Sequence, residues 1–122
     1  MTRRPAIHDA EPHILTSHGS DFFGEDRHLV RDITTLAGWV RGSLPTVGIG
    51  DAVVLLTAME QPKPSATFPP AYAAVASGYL LKASRGRHIK PGLSAIARSL
   101  ADAATRAADA GEPWTWTLTT AT

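Results

Sequence analysis

Apolar positions recur at three- and four-residue steps through the middle of the chain, and this pattern predicts a series of helices. Between Asp26 and Gly42, the residues Leu29, Val30, Ile33, Leu36, Ala37 and Val40 fall on one helical stripe, with Arg27, Arg31, Thr34, Thr35 and Arg41 opposite. Glu25 and Asp26 at the start and Arg41 near the end suit the helix dipole, and Gly42 and Pro45 stop the helix. Ala52 to Met59 is almost continuously apolar. It fits either a buried strand or a helix capped by Asp51, and its extension through Glu60, past ordinary strand length, favours helix.

Gln61 to Pro70 holds Pro62, Pro64, Pro69 and Pro70 and reads as a stiff connector, with Pro69 or Pro70 opening the next helix. That helix, Ala71 to Ala83, carries Tyr72, Val75, Ala76, Tyr79, Leu80 and Ala83 as its expected core stripe. Ala73, Ala74, Ser77 and Gly78 form a second face small enough for another helix to approach closely. After Gly86 and a short loop, Leu93 to Ala110 forms the last helix, buried along Leu93, Ile96, Ala97, Leu100, Ala104 and Ala107. Arg98, Asp102 and Arg106 sit four apart on its exposed side, where they are placed to pair in sequence.

The period changes at the carboxyl end. Trp114-Thr115-Trp116-Thr117-Leu118-Thr119-Thr120 alternates large apolar residues with threonine, which predicts a strand. A lone strand leaves its backbone groups unsatisfied. His13 to Thr16 is the best partner within the chain, and another subunit is the alternative. Residues 1–25 otherwise show no helical period and read as an irregular arm, with Phe22 and Phe23 anchoring it to the body. The expected architecture is therefore mainly α: a single-domain bundle of about four helices (26–111), an irregular N-terminal arm and a short C-terminal strand (112–122).

Composition narrows the class. Of 122 residues, 43% are hydrophobic, enough for one core and against wholesale disorder. The absence of cysteine removes disulfide scaffolds, thiolate metal sites and cysteine nucleophiles, and fits a reducing compartment. His8, Asp9, Glu11 and His13 interrupt the place where a signal peptide would put its apolar region. No apolar run approaches the roughly 20 residues needed to span a bilayer. The expected setting is cytoplasmic, with no membrane partner.

Charge supplies the sharpest feature. The net charge is only +1, yet Lys82 to Arg106 holds six cations and one acid, while the rest of the chain is net acidic. Lys82, Arg85, Arg87, His88 and Lys90 lie on or beside a glycine-containing loop that leads into a helix, and Arg98 follows. Arginine forks, lysines and backbone N–H groups in that arrangement suit phosphate or carboxylate oxygens. The competing reading is a solvated basic loop, or one neutralised by the acidic half of the chain. Trp114 and Trp116 fit stacked bases or a protein partner, against a plainer role covering one end of the bundle.

Other constellations carry less. Ile96-Ala97-Arg98-Ser99-Leu100-Ala101 resembles the start of a helix-turn-helix unit, but Ala101 stands where the turn wants glycine, so one continuous helix is expected. Glu25-x-x-His28 has a carboxylate–imidazole spacing for one helical face, with Asp32 beyond it, but too few further acids for a metal site. Ser17-His18-Gly19-Ser20-Asp21 collects hydrolase residue types as neighbours, whereas triads are assembled from separated positions. Gly48-Ile49-Gly50 is too short for a dinucleotide motif.

The expected function is thus non-catalytic and cofactor-free: a small regulatory or accessory protein whose basic segment binds nucleic acid or an acidic protein. A homodimeric assembly module, using the small-residue helix face and the C-terminal strand, is the alternative. If about five phosphates were contacted, affinity would fall with salt at a log–log slope of roughly −4 to −5.

Overall fold

A computed structural model of the chain describes residues 11–20, 23–44 and 50–120. The elements run β1 (Pro12–Ser17), β2 (Glu25–Leu29), α1 (Val30–Gly42), a 3-10 turn (Gly50–Ala52), α2 (Val53–Glu60), β3 (Ser65–Phe68), α3 (Pro70–Ser84), α4 (Pro91–Ala110) and β4 (Trp114–Thr120). The strands form one antiparallel sheet in the order β2-β1-β4-β3. This α+β arrangement overturns the expected mainly helical bundle with a single short strand.

The sheet explains the difference. The pairing of β4 with β1 matches Ile14 with Leu118 and Thr16 with Trp116, so the tail joins the His13 segment as expected. The other edge of β4 pairs with β3, which the proline connector had hidden. Residues 26–29, expected as the first turn of a helix, instead extend as β2 against β1, and α1 begins only at Val30. The supposed arm therefore contributes a strand hairpin. Phe22 lies outside the described residues, and Phe23 is 80% exposed, so burial of its ring does not anchor the segment.

Period-two geometry puts Ile14, Thr16, Phe68, Trp114 and Trp116 on one buried face of the sheet. Phe68, Trp114 and Trp116 meet in mutual contact, with ring centroids 5.3 to 5.5 Å apart and the two indoles nearly perpendicular. Ile33, Leu36, Leu55, Leu56, Met59, Leu80 and Leu100 from the helices complete one continuous core.

The pair α3–α4 is packed through small residues. Ala73, Ala76, Ser77, Leu80 and Ala83 of α3 are buried, as are Ala97, Ala101, Ala104 and Ala107 of α4, and Ser77 Oγ lies 2.7 Å from Thr105 Oγ1. Of the small-residue face of α3, Ala73 and Ser77 turn inward and Ala74 and Gly78 are exposed; of the expected core stripe, Ala76, Leu80 and Ala83 are buried, Val75 is exposed, and Tyr72 and Tyr79 are half-buried. Asp51 does not cap α2. The Tyr72 hydroxyl takes that place, accepting from the Leu55 amide at 3.1 Å and donating to the Asp51 carbonyl at 2.5 Å. At the end of α4, Gly111 adopts φ 69°, which lets its amide reach Ala108 O and the Glu112 amide reach Ala107 O.

Candidate anion-binding surface

The turn between α3 and α4 carries the basic cluster. Lys82 stands in the last turn of α3, Arg85 is its C-cap residue, Arg87 and His88 follow, and Lys90 immediately precedes α4. All five are exposed. Lys82, Arg85, Arg87 and Lys90 form no ion pair with any carboxylate among the described residues, whose ion pairs are His18–Glu112, Arg31–Glu11 and Arg41–Glu60. Among the described residues, no carboxylate of the acidic half pairs with the turn.

Local hydrogen bonds hold it in shape. The Gly86 amide donates to Ala83 O at 3.0 Å and the Ile89 amide to Gly86 O at 3.4 Å. At the base, the buried Ser94 hydroxyl donates to Ser84 O at 2.7 Å, tying the first turn of α4 to the last turn of α3. A Cβ on Gly86 would sit 3.2 Å from Ala83 O, so the turn closes tightest where there is no side chain. Pro91 and Gly92 open α4 without a side-chain cap, which leaves the first amides of the helix, at Gly92 and Leu93, without an intrahelical acceptor.

Arg98 parts from this group. Its guanidinium donates to Ser94 Oγ at 3.0 Å and lines a separate depression with Ser20, Ser99, Asp102 and Arg106. Neither Arg98 nor Arg106 pairs with Asp102 as the spacing predicted; Arg106 Nε instead donates to His18 O at 2.6 Å. The exposed cations of the turn itself are therefore those of residues 82–90. Arg87 and His88 also line a groove of about 460 Å³ between this turn and α1.

The two tryptophans assigned to a partner lie elsewhere. Trp114 and Trp116 are 0% and 2% exposed, and Trp114 Nε1 donates to Ser17 O at 3.2 Å. They are core residues, with no face left for a base or a protein. Trp39, half-buried beside the basic turn, is the aromatic residue that sequence reasoning missed. Its place between stripe residues Leu36 and Val40 gave no sign that it would border a groove.

The remaining constellations are structural. Ser17 Oγ accepts from the Thr115 amide at 2.9 Å, and Ser20 donates to Asp26 from both its amide and its hydroxyl. These hydroxyls tie the β1–β2 loop to its neighbours; Asp21 lies outside the described residues, as do Gly48 and Ile49. Because residues 25–28 are strand, Glu25 and His28 point to opposite faces, and the shared helical face that a metal pair requires does not exist. His28 has its Nε2 buried without a hydrogen-bond partner, and desolvation holds its pKa below the usual imidazole value against the opposing pull of Asp26 and Asp32. The segment Ile96–Ala101 runs inside the unbroken helix α4, as expected.

No helix among the described residues is long and apolar enough to cross a membrane. No curated protein and no solved structure matches the chain. A family model matches residues 19–117, from the β1–β2 loop to the centre of β4, and the chain therefore belongs to the family described as a domain of unknown function, DUF7739.

Proposed function

We propose that this protein is a non-catalytic cytoplasmic binding module that recognises an anionic macromolecule, nucleic acid foremost, through the turn from Lys82 to Lys90. One observation carries this reading: four cations lie exposed on a single tied turn, and none is paired to a carboxylate among the described residues. Cations left unpaired in an otherwise acidic chain make a local positive field, which attracts polyanions even at a net charge of +1. The uncapped start of α4 adds a positive dipole end to the same region.

The surfaces expected to serve assembly are partly occupied within the chain, with Ala74 and Gly78 of the small-residue face left exposed. Strand β4 is flanked by β1 and β3, and Ala73 and Ser77 of the small-residue face are buried. The test is a variant carrying Arg85→Ala, Arg87→Ala and Lys90→Ala. It is expected to lose binding to DNA and RNA at low salt while keeping the far-ultraviolet circular dichroism of the parent. Binding retained by the variant would contradict the assignment to the turn, and parent binding confined to acidic proteins, with none to nucleic acid, would contradict the nucleic-acid reading.

A further inference from the structure

Helix α1 contains a glycine that the fold itself does not require. Gly38 stands in the middle of the helix, where glycine is among the least favourable residues, and its backbone takes no positive φ. A Cβ built on it would meet nothing within 4 Å, and the same holds for Gly42 one turn later. Both open onto the groove of about 460 Å³ that Trp39 lines from α1 and that Arg87 and His88 line from the basic turn. Its volume falls in the range of small-molecule sites, and it joins an indole and a glycine-lined wall to a guanidinium and an imidazole.

We propose that this groove takes an unstacked base of single-stranded nucleic acid, with Trp39 supplying the stacking face and Arg87 holding the adjoining phosphate. The inference rests on the basic-turn reading and deepens it. A duplex keeps its bases stacked and paired, so it reaches the cations of the turn but not the groove, whereas a single strand uses both. Charge complementarity selects this occupant: an apolar helix from a second copy would leave Arg87 and His88 facing nothing anionic. The exposed helix glycines, which gain nothing inside the chain, give a planar base room beside the indole.

The test compares oligo(dT), duplex DNA of the same length and heparin on the intact protein, its Gly38→Leu variant and its Trp39→Phe variant. Trp114 and Trp116 are buried, so quenching of intrinsic fluorescence by a bound base reports on Trp39. Oligo(dT) is expected to quench that fluorescence and to lose roughly tenfold in affinity in Gly38→Leu, the scale of one stacked base. Heparin and duplex affinities should stay unchanged. Gly38→Leu adds its side chain in open space and replaces glycine by a strong helix former, so it should remain folded. Trp39→Phe, which keeps an aromatic face, should retain most of the oligo(dT) affinity. If oligo(dT), duplex and heparin bind equally and Gly38→Leu changes none of them, the groove inference fails and the basic turn stands. If no polyanion binds, both fail. A dimer of the parent that Gly38→Leu dissociates, with oligo(dT) affinity unaltered, would assign the groove to a second copy and overturn the proposal.

Discussion

The Ser94 hydroxyl donates to the Ser84 carbonyl at 2.7 Å across the base of the turn that carries Lys82, Arg85, Arg87 and Lys90. The same oxygen accepts from Arg98 at 3.0 Å, so a single buried hydroxyl joins the two helices and orients a guanidinium. Ser94→Ala leaves the Ser84 carbonyl without this donor in a buried setting. The expected loss is about 1 kcal/mol of unfolding free energy, measured by urea titration. It should be accompanied by faster amide exchange at Gly86 and Ile89, whose hydrogen bonds shape the turn.

His28 predicts a pH dependence. Its pKa in the folded chain is lowered by burial, so the unfolded chain takes up the proton first as pH falls. The stability it contributes is complete above the ordinary imidazole value of about 6.5 and is lost as pH drops from there toward the lowered value. Thermal unfolding across this range should show the loss, and His28→Leu should flatten it.

Gly19 is fixed by space. A Cβ there would lie 2.3 Å from both the Asp26 amide nitrogen and the Glu25 carbonyl carbon, and neither backbone atom can swing away as a side chain does. Gly19→Ala should force the β1–β2 loop apart at a cost of about 1–3 kcal/mol, read from chemical denaturation.

Trp114→Ala should be far more severe than any substitution on the basic turn. It removes a fully buried indole packed edge-to-face against Trp116 and tilted against Phe68, with an expected cost of about 3–5 kcal/mol. A mild effect would contradict the assignment of the tryptophans to the core.

These residues show which features the chain declares and which it conceals. The period-two alternation of Trp114 to Thr120 declared a strand because its inward residues are large and apolar. In β2 the inward residues are Asp26 and His28, so the same geometry left no hydrophobic alternation, and the acids resembled a helix start. Only the backbone of β1 reveals the strand. Four-residue β3 was hidden by flanking prolines, which are tolerated here because it is an edge strand. The buried stripe of α3 is rotated toward Ala73 and Ser77 and away from Tyr72 and Val75, because the alanines of α4 approach closely and reward small residues there. The basic turn was legible as charge in the sequence, but the departure of Arg98 and the approach of Trp39 were not. Both depend on how α1 and α4 lie against their neighbours.

The salt dependence of oligonucleotide binding tests the central claim most directly. If Arg98 is held apart and the four cations of the turn each meet a phosphate, the log–log slope of affinity against salt should be roughly −3 to −4, shallower in the Arg85, Arg87 and Lys90 alanine variant. A flat response, or a slope that the variant leaves unchanged, would mean that residues 82–90 do not contact phosphate.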